Sequence, residues 1–138
     1  MGRNYYIGHF ENNKFHGYGT IKLKNGDFYS ANWVHNYPEG QGVYTWANGN
    51  RAQINFDETG GYSFGHRIVF PKNDFRFEYR GETKDGNIMH GLGTLTLLEG
   101  MYSYTGEWAD DKSTEHNLEM LGIEQGWQAK LEENEIKE

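Results

Sequence analysis

Residues 6–28 read YIGHFENNKFHGYGTIKLKNGDF, residues 29–51 read YSANWVHNYPEGQGVYTWANGNR, and the two lie over one another without a gap. Tyr6 falls on Tyr29 and Phe10 on Trp33. Gly17 and Gly19 fall on Gly40 and Gly42, and Asn25-Gly26 on Asn48-Gly49. A period of about 23 residues belongs to one supersecondary unit stacked repeatedly on itself. A later copy, YRGETKDGNIMHGLGTLTLLEGMYS, starts at Tyr79 and carries Gly81, Gly91, Gly93 and Gly100 with a small insertion. Tyr104-Thr105-Gly106-Glu107-Trp108 then opens a last unit that never reaches its glycine pair. Between them lies a degraded copy, residues 52–78. Ala52, Ile54 and Phe56 fill its Tyr, Gly and Trp slots, Gly65 survives, and Asn73-Asp74 replaces Asn-Gly. The sequence leaves the register of that copy open.

The unit reads as a β-hairpin. Period-2 alternation puts Tyr6, Gly8 and Phe10 on one face of a strand. The glycine between the rings leaves room for a ring of the neighbouring unit to pack over the backbone. A polar turn from Glu11 to Lys14 leads to a second alternating strand, as in Thr20-Ile21-Lys22-Leu23, Val43-Tyr44-Thr45-Trp46 and Thr94-Leu95-Thr96-Leu97. Asn-Gly favours the type I′ hairpin turn, with positive φ at both central residues, so Asn25-Gly26 and Asn48-Gly49 are expected to join one unit to the next. A leucine-rich repeat has a compatible period but needs a ladder of leucines with an asparagine, which is missing.

A mean hydropathy of −0.91 and 24% charged residues would suit a disordered chain. Aromatics at 16% and 19 glycines at fixed offsets argue for a folded one, with rings supplying the core. Net charge is −7. Nucleic-acid binding through phosphates calls for a basic face, and an anionic membrane calls for a polybasic patch. Neither follows from this balance, so no nucleic acid is expected and a membrane lipid is not favoured. Cysteine is absent, which excludes disulfides and thiolate metal sites and favours an intracellular compartment. The N-terminus MGRNYYI lacks the apolar core of a signal peptide, and Tyr6 stands where myristoylation wants Ser or Thr.

With the pattern Tyr-x-Gly-x-Trp, a turn, Gly-x-Gly-Thr and a closing Asn-Gly on the page, the chain resembles the MORN family (membrane occupation and recognition nexus). The residues that carry the likeness are Tyr6-x-Gly8-x-Phe10, His16-Gly17-Tyr18-Gly19-Thr20 and Tyr104-x-Gly106-x-Trp108. The resemblance implies an all-β fold, a single-layer elongated antiparallel meander of tandem MORN β-hairpins, over residues 1–112. Its units lie near 6–28, 29–51, 52–78, 79–103 and 104–112. It also implies a non-enzymatic scaffold or adaptor that binds protein partners in a multi-subunit assembly, as a small cytoskeletal or ciliary (axonemal) subunit in the cytoplasm. Two alternatives stay open: a peripheral membrane tether recognising phosphoinositides, and an accessory subunit regulating an enzyme on another chain. A homodimer stays open too.

Residues 113–138 change character. Met120, Ile123, Trp127 and Leu131 share one helical face, Ser113 is placed to cap a helix, and the tail from Leu131 is acidic. A short C-terminal helical cap or interaction segment is therefore expected, folded back on Tyr104 or Trp108.

No residue set points to catalysis, a cofactor or a metal. His9, His16, His35, His66, His90 and His116 lack helical i, i+4 pairing, and no Walker loop or nucleophile elbow occurs. Tyr6, Gly8, Phe10, Gly17, Gly19, Tyr29, Trp33, Gly40, Gly42, Tyr79, Gly81, Gly91, Gly93, Tyr104, Gly106 and Trp108 are assigned to the repeat structure. Tyr5, Tyr18, Tyr44, Trp46 and Trp127 are less bound by the motif and are the candidates for partner contact. Arg67, Lys72, Arg76, Arg80 and Lys84 alternate with Asp74, Glu78 and Glu82, which reads as a solvated mixed face.

Overall fold

The computed structural model describes residues 3–114. Eleven strands run in order: β1 (Tyr5–Glu11), β2 (Lys14–Lys22), β3 (Phe28–Val34), β4 (Tyr37–Thr45), β5 (Arg51–Phe56), β6 (Tyr62–Phe64), β7 (Arg67–Val69), β8 (Arg76–Lys84), β9 (Ile88–Leu97), β10 (Tyr102–Ala109) and β11 (Lys112–Ser113). They form one open antiparallel sheet in which each strand neighbours the next in sequence, except that β6 and β7 share the same side of β5. Among the described residues there is no α-helix; the only helical piece is a 3-10 turn at Leu98–Gly100. The expected C-terminal helix, with Met120, Ile123, Trp127 and Leu131, lies outside the described residues. Ser113, expected as its cap, is the last residue of β11, opposite Trp108.

Local sequence explains the hairpins, though with the turn types exchanged. Both central residues have positive φ at Asn12-Asn13, His35-Asn36 and Asp110-Asp111, the type I′ geometry, and these turns lie inside the units. At the Asn-Gly junctions only the glycine does, with φ of 97° at Gly26 and 95° at Gly49. There the Gly26 N–H donates to the Leu23 carbonyl and the Leu23 N–H to the Asp27 carbonyl. That is a type I turn closed by a glycine bulge. The asparagine serves as an acceptor: Asn25 Oδ1 takes the Asp27 N–H at 2.9 Å, and Asn48 Oδ1 takes the Asn50 N–H at 2.9 Å.

Register sorts the side chains between two faces. Gly19 pairs with Ala31, Gly42 with Ile54 and Gly93 with Gly106, so the small slots stand opposite one another across unit boundaries. The face they share carries the buried residues, among them Ala31, Trp33, Ala52, Ile54, Ile68, Tyr79, Leu95 and Trp108. We call it the packed face. Its opposite, the outer face, carries Tyr5, Thr20, Ser30, Val43, Arg51, Glu78, Thr94 and Thr105.

On the packed face the repeat motif is one contact made several times. The Tyr6 ring lies over Gly8 of its own strand and Gly19 of the next, filling the space that a Cβ would need. Tyr79 covers Gly93 in the same way. The phenol then donates to a carbonyl three residues on, Tyr6 to His9 at 2.8 Å and Tyr79 to Glu82 at 2.7 Å. The following unit's indole completes the contact: Trp33 Nε1 donates to the Gly19 carbonyl at 3.0 Å, and Trp108 Nε1 to that of Gly93 at 3.0 Å. So the ring over the glycine comes from the same unit, and the neighbour contributes the tryptophan. Edge contacts tie these rings together, Tyr6 to Trp33 at 5.7 Å and Tyr79 to Trp108 at 6.0 Å between centroids. A buried ring removes about 150–250 Å² from water, which is how one layer coheres without a second sheet.

Candidate interaction surface

The motif residues on the packed face are occupied with one another. Tyr44 and Trp46, two of the partner candidates, sit among them. Tyr44 stacks on Tyr29 at 6.0 Å and meets Phe64 edge-on at 5.4 Å, while Trp46 lies 5.2 Å from Phe64. The Tyr44 hydroxyl donates to Asp27 Oδ2 at 2.6 Å, and Asp27 Oδ1 accepts the Ala47 N–H at 2.8 Å. Burial raises the Tyr44 phenol above its usual range, with the Asp27 hydrogen bond adding to it. Burial also pushes Tyr79 up to about 12. Both phenols are protonated donors at any physiological pH.

Tyr5 and Tyr18 are placed differently. Tyr5 pairs with Lys22 and Ile7 with Thr20, while Tyr18 alternates with both partners, so Tyr5, Ile7 and Tyr18 project together from the outer face. They are 55%, 57% and 60% exposed. Val43 and Leu92 are further exposed apolar residues on that face. Cross-strand hydroxyl pairs separate these patches, Thr20 with Ser30 at 2.7 Å and Thr94 with Thr105 at 2.7 Å. The threonine of Gly-x-Gly-Thr thus belongs to the outer face. Trp127 lies outside the described residues.

A second feature of the outer face was not legible beforehand. Arg51 pairs with Val69, Val69 with Glu78, and Arg67 with Arg80, which puts three arginines and one acid on the same face, Arg51 two strands from Glu78. Arg67 donates from Nε to Glu78 Oε1 at 2.8 Å, and Arg80 from Nε to Oε2 at 2.6 Å. Glu78 is 9% exposed. Burial alone would raise its carboxyl, but the bonds from Arg80 and Arg67 outweigh it and hold the pKa below the ordinary value. Arg51 is exposed and has no ion pair or hydrogen bond among the described residues. The other cations of the expected mixed face go elsewhere. Arg76 binds Asp74 at 2.7 Å and lies over the Phe70 ring, and Lys84 reaches Asp110 at 3.1 Å. Arg51 is 27 residues from Glu78 in sequence; only strand register unites them, and no local pattern announces it.

The degraded copy is where the sheet departs from regular hairpins. Residues 62–69 begin on β5, with Phe64 opposite Ile54, bulge away from it after Gly65 and meet it again at Val69, opposite Arg51, while Ile68 stands opposite Tyr79 of β8 on the other side. The slot facing Gly81 is held by His66, whose carbonyl takes the Gly81 N–H at 2.8 Å, and Gly65 falls one residue short of it. Among the described residues no group of three or more His, Asp or Glu is placed to hold a metal.

The family model described as MORN repeat matches residues 6–28, 29–51 and 85–101. No curated protein matches the chain at a significant level. The first two matched segments each span a regular hairpin and the third spans β9 with its flanking turns, while residues 62–69 with their bulge fall outside all three. MORN repeats are non-catalytic modules for interaction with proteins or membranes.

Proposed function

We propose that this chain of MORN repeats is a non-enzymatic scaffold or adaptor that binds other proteins through the outer face of its sheet. One observation carries the reading: the motif rings other than the exposed Phe10 are spent on the packed face, while Tyr5, Ile7 and Tyr18 stand exposed together on the other. Exposed tyrosines offer large, rigid contact area with a polar tip, the composition favoured at protein interfaces. The chain fits a small subunit of a larger assembly, and the family resemblance favours a cytoplasmic, cytoskeletal or ciliary one.

Affinity capture with the full chain, followed by mass spectrometry, tests this. A defined set of proteins should be retained, and retention should fall with Tyr5→Ala and Tyr18→Ala combined. Sedimentation with anionic vesicles in place of protein capture would instead make the chain a membrane tether.

A further inference from the structure

We infer that the groove between β5 and β7 on the outer face binds an extended acidic segment of a partner protein, its carboxylates held by Arg51, Arg67 and Arg80. The inference rests on the protein-binding reading above and names the chemistry of one partner.

The groove has a volume of about 540 Å³ and is lined on the outer face by Val43, Arg51, Gln53, Arg67 and Val69, with His66 at its rim. Between Gly65 and Val69 the chain bulges away from β5, which it meets again at Arg51, and the groove lies at that bulge. Charge decides what fits. Arg51, Arg67 and Arg80 share this face with one carboxylate, Glu78, which is bonded to Arg67 and Arg80. Two positive charges are left over, one on Arg51, whose side chain has no ion pair or hydrogen bond among the described residues. The uncompensated guanidiniums repel one another, and a bound anion would relieve that repulsion. Guanidinium forks suit carboxylates, and the Gln41 and Gln53 amides can pair with a peptide backbone.

The groove continues into a second one of about 640 Å³, sharing Arg51 and Val69 and walled by Phe75, Phe77, Leu98 and Met101. Lys72 and Glu99 there offset each other. Phe77 and Met101 are exposed at 41% and 65%. The channel is basic at one end and apolar at the other, which suits a segment with acidic residues followed by an apolar anchor. A flat anionic bilayer fits it less well, because Glu78 lies recessed between the arginines.

The repeat itself does not require these residues. In the gapless alignment Arg51 stands where the first unit has Phe28, so the sheet closes equally well without a cation at that position.

The test uses the full chain and a fluorescein-labelled peptide alternating Glu with Leu and ending in Phe, followed by anisotropy. A control peptide carries Lys in place of Glu. The Glu peptide should bind and the Lys peptide should not. Arg51→Glu should weaken binding about tenfold or more with an unchanged unfolding midpoint, because the Arg51 side chain has no partner to lose among the described residues. Equal binding of both peptides, or equal binding by Arg51→Glu, overturns the proposal. So does Arg51-dependent sedimentation with vesicles of about four parts phosphatidylcholine to one part phosphatidylserine when the Glu peptide stays unbound. Running Arg51→Glu through the affinity capture separates the two claims. Proteins retained undiminished by the variant, with no peptide binding, sink the groove and leave the scaffold standing; no retained protein with either form sinks the scaffold.

Discussion

Glu78 and Tyr79 are neighbours in β8 whose side chains leave the sheet on opposite sides. Tyr79 is fully buried on the packed face, over Gly93 and against Trp108, while Glu78 gathers Arg67 and Arg80 on the outer one. Two adjacent residues thus divide cohesion from recognition. The same division runs along the whole sheet, because alternation in a strand fixes which side each residue serves.

The cohesive side predicts a sharp contrast between two glycines. A methyl at Gly93 would occupy space already filled by the Tyr79 ring, whereas one at Gly65 would meet only Gln53 Cβ at 3.5 Å. Gly93→Ala should therefore cost about 2–3 kcal/mol and Gly65→Ala no more than about 0.5 kcal/mol. Urea unfolding of both variants checks this.

How much of this was readable from the chain follows from that contact. Tyr6-x-Gly8 and Tyr79-x-Gly81 announce both hairpin spacing and the buried face, since alternation is local and the repeat multiplies the signal. The direction of the covering ring was not readable. Whether a tyrosine lies on its own unit's glycines or on its neighbour's depends on a rotamer that spacing does not encode. The turn types were exchanged for a similar reason. Asn12-Asn13 and His35-Asn36 reach positive φ because the short connections between paired strands demand it, and no glycine marks them. Arg51 and Glu78 come to one face only through the pairing of β5, β7 and β8, in the one copy where the pattern fades.

Acid should weaken the fold through Glu78. Its pKa lies below the ordinary 4.5 in the folded chain, so the unfolded state binds more protons in that window. The contribution is complete above the ordinary value and is lost as pH falls through the folded one. At neutral pH, Glu78→Gln should cost about 1.5–3 kcal/mol, the scale of hydrogen bonds to a charged group. The gap between variant and parent should then narrow from about pH 5 downwards. Urea midpoints across a pH series measure it; a constant gap would remove Glu78 from the account.

Asn36 does two jobs that substitutions can separate. Its φ is 77°, and its Oδ1 accepts the Phe15 N–H at 2.8 Å, tying the second hairpin's turn to the first unit. Asn36→Ala loses the bond and strains the backbone, so it should cost about 1–2 kcal/mol. Asn36→Gly loses only the bond and should cost less. Thermal unfolding of the pair gives the order.

The most direct test of the two-face account measures partner retention and unfolding midpoint together on one variant, Tyr5→Ala/Tyr18→Ala/Arg51→Glu, in the full chain. The account predicts that captured proteins are lost while the midpoint stays within about 2 °C of the parent. Undiminished retention at an unchanged midpoint would contradict it, because recognition would then lie somewhere other than the outer face.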